Sequence, residues 1–120
     1  METLVERANA SGLEFRGPDK FSRQPLDAPL LEWKLGFTDE STFGRYLPFY
    51  IDWLQTPHPS KNVPGGLELL NFEVMHPRSS ELRAIYQQLD IEVPIIRGDR
   101  PGLRALIKAS GVEVVLCSLD

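Results

Sequence analysis

The sequence predicts an α+β fold, and three observations carry that expectation. The first is Leu67–His76 (LELLNFEVMH), whose alternation sets Leu70, Phe72 and Val74 on one side of a strand and Leu69, Asn71, Glu73 and Met75 on the other. The second is Pro77–Asp90 (PRSSELRAIYQQLD), where Leu82, Ile85, Tyr86 and Leu89 recur at i, i+3, i+4 and i+7, the apolar stripe of one helix. The third is a set of three short apolar runs, Ile91–Ile96, Leu103–Ala109 and Val112–Leu119. They are divided by Gly98-Asp99-Arg100-Pro101-Gly102 and by Ser110-Gly111, turn chemistry that suits antiparallel hairpins. The order is strand, helix, strand, strand, strand.

Upstream, Glu2–Ser11 reads as a short helix. Leu4, Val5 and Ala8 make its apolar face, Glu2 sits near its positive end and Gly12 ends it. A helix this short must dock on something to persist. Leu13–Pro29 is rich in Gly, Pro and charge and reads as loop, with Phe15 to Phe21 pairing briefly as an edge strand. Leu30–Phe37 (LLEWKLGF) alternates Leu31, Trp33, Leu35 and Phe37 against Glu32, Lys34 and Gly36, the pattern of a half-buried strand. A polar loop over Thr38–Arg45 follows. The most aromatic stretch, Tyr46–Leu54 (YLPFYIDWL), puts Phe49, Ile51 and Trp53 on one face and Tyr50, Asp52 and Leu54 on the other, with Pro48 at the start or edge of the strand. Gln55–Gly66, with three prolines and a Gly pair, is a linker. The expected organisation is one domain over 1–120, with helix and loop at 1–29, a β-hairpin at 30–54, a linker at 55–66 and the βαβββ unit at 67–120.

Composition removes several functions. A net charge of −4 without a basic stripe argues against nucleic acid as partner. No apolar run approaches the roughly 20 residues of a membrane span, and METLVERANASG lacks the basic-then-apolar pattern of a signal peptide. Cys117 is the one cysteine, so no intramolecular disulfide forms and nothing points to an oxidising compartment. The expected location is the cytoplasm. Phosphate-cradling loops, nucleophile elbows and CxxC pairs are absent from the sequence.

LLNFEVMHPRSSELRAIYQQLDIEVP resembles the opening of a vicinal-oxygen-chelate (glyoxalase/bleomycin-resistance) module. LPFYIDW, TPHPS and PGG ahead of it resemble the linker before the second module in the glyoxalase-like domain branch of that superfamily. The likeness runs from about Leu31 to Leu119. It implies a single βαβββ module with an added N-terminal helix and β-hairpin, built on a curved mixed or antiparallel sheet. It also implies a metal held between two modules by His, Gln or Glu side chains. The usual ligand positions of this module fall near Leu69 and Val115, and neither side chain binds a divalent cation. The expectation is a site without metal or cofactor.

The candidate ligand-binding residues are Tyr50, Asp52, Trp53, Asn71 and Glu73. Asp52 on an apolar strand lies either at a wet edge or against a pocket, with Tyr50 on the same face and Trp33 or Trp53 near it. The competing reading is aromatic packing with Asp52 at its rim. Asn71, Glu73 and Glu113 offer an amide and two carboxylates for a hard ion or for acid–base work. Against that, Glu73 and Glu113 are solvated or paired with Arg104 or Lys108. His58 and His76 are not spaced as metal ligands, and His76 suits the start of the helix. Arg97, Asp99 and Arg100 form either an anion-binding pair of guanidiniums or an exposed hairpin tip. Cys117 reads as an inert thiol rather than a nucleophile.

One module is half of what the resemblance requires. A second copy in a homodimer, a longer parent protein, or the Leu30–Trp53 hairpin extending the sheet would each supply the rest. A sheet with its helix on one face needs cover on the other, which favours the homodimer. The leading functional expectation is a metal-free protein that binds a small molecule in an aromatic-lined cavity. The alternatives are a metal-dependent lyase, isomerase or dioxygenase completed by a second module, and an assembly module without ligand.

Overall fold

The chain divides into two units, Met1–Val63 and Pro64–Asp120, within the stretch expected to act as a linker. The computed structural model describes residues 1–38 and 42–120; Asp39, Glu40 and Ser41 of the expected polar loop lie outside the described residues.

In the first unit, α1 (Glu2–Ala10) ends in a Schellman turn: the Leu13 N–H reaches the Ala8 carbonyl and the Gly12 N–H reaches that of Asn9. β1 (Phe15–Arg23), β2 (Leu31–Thr38) and β3 (Phe49–Asp52) form an antiparallel sheet in that order. β1 is a fuller strand than expected. It lies at a sheet edge with most of its side chains in water, so its sequence (FRGPDKFSR) lacks the apolar alternation of a covered strand. Gly17 and Pro18, joined by a cis peptide bond, stand outside its ladder with β2. β3 is shorter than the aromatic stretch suggests. Gly44–Tyr46 turns as a 3-10 helix, and pairing begins after Pro48, which has no N–H to give a ladder.

Residues directly opposed in an antiparallel ladder share a face. Leu35 with Ile51 and Phe37 with Phe49 define one face of this sheet; Lys34 with Asp52 and Gly36 with Tyr50 define the other. Gly36 explains how α1 approaches that second face. A Cβ at residue 36 would come within 2.3 Å of the Phe15 ring and 3.1 Å of the Met1 sulfur, so only glycine leaves room for both.

The second unit comprises β4 (Leu67–His76), α2 (Ser79–Gln88), β5 (Ile95–Arg97), β6 (Gly102–Ala109) and β7 (Val112–Leu119), with sheet order β5-β4-β6-β7. β5 runs parallel to β4, with α2 as the crossover between them. The run after the helix therefore does not make a hairpin with the next strand; β6 crosses to the far side of β4 and pairs there. β6 and β7 do form the expected hairpin. Ser110 (φ 49°) and Gly111 (φ 78°) both take the positive φ of a type I′ turn.

The helical stripe read from the sequence is the buried one. Leu82, Tyr86 and Leu89 are buried, together with Val74 and Ile95, which oppose each other across β4 and β5. α2 closes as α1 does, with Asp90 (φ 59°) in the left-handed position. One expected placement is corrected. The β4–β6 ladder skips a residue between Leu69 and Asn71, so Leu69 opposes Ile107 while Asn71 opposes Leu106. Consecutive residues of β6 point to opposite faces, which puts Leu69 on the helix side with Phe72 and Val74. Asn71, Glu73 and Met75 stay together on the other face. Strict alternation fails across a bulge because the bulge adds a residue to one strand only.

The fold is α+β as expected, with its strands divided between a three-stranded and a four-stranded sheet. Among the described residues no helix is long and apolar enough to cross a membrane. Leu82 is fully enclosed, whereas Leu26 is 93% exposed. Leu82→Ala is expected to lower the unfolding free energy by about 2–5 kcal/mol in a denaturant titration, and Leu26→Ala by less than about 0.5 kcal/mol.

Candidate functional site

Tyr50 and Asp52 share the sheet face that α1 approaches at Gly36, and a hollow lies beside them in the first unit. It has a volume of about 420 Å³ and lies between the first turns of α1 and the residues of β3 and its exit. Tyr50, Asp52 and Trp53 all border it, as do Met1 and Arg7. A second hollow of about 510 Å³ adjoins it through Met1 and Asp52 and reaches Lys34.

Each side chain is held by its surroundings. Asp52 Oδ1 accepts the Leu54 N–H at 2.9 Å, supporting the left-handed backbone of Leu54 (φ 54°) that turns the chain out of β3. Lys34 stands opposite Asp52 in the ladder. Thr56 fixes the exit further: its hydroxyl accepts the Glu32 N–H at 3.0 Å and donates to the Glu32 carbonyl at 3.1 Å. Trp53 leans over the other face, its ring 5.6 Å from Trp33 and 5.9 Å from His58, so the aromatic packing read from the sequence is real and coexists with the hollow. His58 Nδ1 accepts the Ser60 N–H at 3.1 Å, which is a turn-forming role.

Tyr50 is the unusual member. Its ring lies 6.2 Å from that of Phe15, and its buried phenolic oxygen has no hydrogen-bond partner of ordinary geometry among the described residues. Burial pushes the phenol pKa up, against a weaker downward pull from the neighbouring Thr38 hydroxyl. Tyr50 is therefore a neutral phenol across the physiological range. The part played by α1 was not legible from its own residues, since nothing in ETLVERANA signals a site. The available signal was Gly36, because a glycine inside a strand marks close approach by another part of the chain.

Asn71 and Glu73 lie on one face of the second unit's sheet, and there the arrangement is ionic. Glu73 is buried and forms an ion pair with Arg104, its directly opposed residue on β6; Arg104 Nε donates to Glu73 Oε1 at 2.5 Å. Cys117 opposes Arg104 in turn, and Glu113 opposes Lys108. A metal fits this chain poorly. Leu69 and Val115 occupy the positions where the resemblance places ligands, and among the described residues no three His, Cys, Asp or Glu side chains gather. His76 serves the helix start: its Nδ1 accepts the Arg78 N–H at 3.0 Å, just ahead of α2. Burial lowers the His76 pKa below 6.5; Arg78 lowers it further and Glu81 opposes the shift.

A family model described as a glyoxalase-like domain matches residues 1–89. Among solved structures the chain is similar to a hypothetical protein from Staphylococcus aureus, with 13% identity and a TM-score of 0.57. That match covers 98% of this chain and 47% of the other, so the chain spans about half the length of that protein. At this identity the likeness concerns the fold alone. No curated protein matches the chain significantly.

Two measurements test the site's internal contacts. Arg104→Ala leaves the buried Glu73 carboxylate without its partner and is expected to cost about 1–3 kcal/mol. Combined with Glu73→Gln, the loss should fall short of the sum of the single losses in a double-mutant cycle. His76 binds its proton more readily in the unfolded chain, so its contribution is present above pH 6.5 and is lost as pH falls through the lowered folded value. His76→Gln should flatten the decline in unfolding free energy between about pH 7 and pH 5.

Proposed function

Because the chain belongs to the glyoxalase-like domain family of the vicinal oxygen chelate superfamily, we propose that it binds a small organic molecule in the hollow between α1 and β3. The observation that most supports this is that Tyr50, Asp52 and Trp53 all border one hollow beside the first turns of α1. A volume of about 420 Å³ falls within the range of about 300–1,000 Å³ common for small-molecule sites. Its lining mixes an aromatic ring and aliphatic surface with a carboxylate and a guanidinium. Such a lining suits a compact ligand with an apolar body and a hydrogen-bond donor or cationic group directed at Asp52. Asn71 and Glu73 form a separate polar surface within the second unit, with Glu73 paired to Arg104.

One observation favours a second reading. The chain spans about half of the Staphylococcus aureus protein, and a metal-dependent lyase, isomerase or dioxygenase completed by a second module fits that relation. Metal analysis of the purified protein separates the two: stoichiometric iron, manganese, nickel or zinc favours the enzyme.

The binding reading is tested by thermal shift against a panel of small aromatic amines and carboxylates. A ligand present at 100 times its Kd stabilises the folded state by about 2.7 kcal/mol. Asp52→Asn retains an acceptor for the Leu54 N–H while removing the charge, and Tyr50→Phe removes the phenolic oxygen. A compound that stabilises the native protein should lose about tenfold or more in affinity with Asp52→Asn. A shift indifferent to both substitutions, or a panel without any shift, would count against the site.

A further inference from the structure

Three charged side chains stand in one row across the first unit's sheet: Lys20 on β1 opposes Lys34 on β2, and Lys34 opposes Asp52 on β3. Like charges directly opposed destabilise a ladder. Glu32 relieves one of the two lysines, holding Lys20 in an ion pair at 2.7 Å. Asp52 does not relieve the other, because its Oδ1 is turned to the Leu54 N–H. Among the described residues neither Lys34 nor the second oxygen of Asp52 has a hydrogen-bond or ion-pair partner. The sheet thus holds an ammonium and a half-committed carboxylate side by side, on residues whose Cβ atoms stand about 4.5–5.5 Å apart when directly opposed.

Both groups open onto the same space. Lys34 and Asp52 border the hollow of about 510 Å³, and Asp52 also borders the adjoining one of about 420 Å³. Around the two hollows together, Arg7 and Lys34 are balanced by Glu2 and Asp52. An even balance favours an occupant that carries both signs over a net anion or a net cation. Apolar surface is available beside it, since Leu4, Ile51 and Trp53 border the smaller hollow.

We propose that the small molecule bound here is a zwitterion of the α-amino acid type with a large apolar side chain, an inference that rests on the binding function proposed above. Its ammonium meets the uncommitted oxygen of Asp52 and its carboxylate meets Lys34. Its side chain lies in the smaller hollow against Leu4, Ile51 and Trp53. An α-amino acid carries both charges on one carbon, so two side chains that are direct neighbours across a ladder can meet both. Hydrogen bonds between ionised partners are the stronger kind, and each is available only to a ligand with the matching group. Asp52 recognises any amine; Lys34 selects the amino acid from among the amines.

Isothermal titration calorimetry tests this with L-phenylalanine and L-leucine against phenethylamine and phenylpropionate, which keep the aromatic ring and lack one charge each. The better amino acid should bind about tenfold or more tightly than either analogue. Lys34→Met keeps the aliphatic stem without its charge. It should bring amino acid affinity down to that of phenethylamine without weakening phenethylamine itself, and Lys34→Arg should restore the preference. Phenethylamine binding as tightly as the amino acids, with a loss at Asp52→Asn, would overturn the amino acid and leave the binding function standing. A preference that survives Lys34→Met in a folded protein would overturn the role of Lys34. Neither amino acid binding would also overturn the inference, while the wider thermal-shift panel decides the binding function separately.

Discussion

The constraint on which the second unit depends is a mismatch of length. β4 and α2 each have ten residues. A helix rises about 1.5 Å per residue and a strand about 3.3 Å, so α2 spans about 15 Å against about 33 Å for β4. Even laid along the strand, this helix covers less than half of it. The burial of the helix side of β4 follows directly. On that side Val74 and His76 are buried, while Leu67 and Leu69 at the other end are 72% and 62% exposed. The core of Leu82, Tyr86, Leu89, Val74 and Ile95 sits at one end of the sheet, and α2 does not reach the apolar residues of the far end.

That mismatch also shows where a sequence informs and where it misleads. β4 and α2 were legible because each carries a long, undisturbed period, of two for the strand and 3.6 for the helix. The face assigned to Leu69 was not, because a bulge leaves no mark in the order of apolar residues; Leu69 and Leu70 look like any aliphatic pair. The parallel placement of β5 was hidden for another reason. Three residues of strand are too few to show a pattern, and only the crossover helix ahead of them hinted that they would lie beside β4. β1 was concealed by being an edge: the charge and Gly-Pro content that suggested a loop is also what keeps an edge strand soluble.

The candidate site divides along the same line. That Tyr50 and Asp52 share a face was readable from alternation alone, and the β2–β3 register bears out that geometry. The helix beside them was not readable, because α1 is distant in sequence and its approach is marked only by the missing side chain at Gly36. The Glu73–Arg104 pair lies between these cases. The sequence offered Arg104 or Lys108 as partners for Glu73 or Glu113, and only the ladder register distinguishes them. It couples Glu73 with Arg104 and places Lys108 beside Glu113. A carboxylate already held by a guanidinium is a positioned acceptor with fixed geometry, which limits the chemistry it can perform and sharpens what it can recognise.

The bare end of the sheet and the bare edge of β7 make different demands. Apolar surface is satisfied by any apolar cover, because the hydrophobic effect has no direction. Unpaired backbone groups are satisfied only by partners at the right spacing and angle. In β7 the two coincide: the strand that carries the open ladder also carries Val114 and Leu116 on the exposed apolar side. On an edge of this kind, directional backbone groups and non-directional apolar surface lie on the same strand. The uncovered half of the sheet is thus not interchangeable apolar area. Its register is set by the bulge in β4 and by the two-residue turn at Ser110 and Gly111.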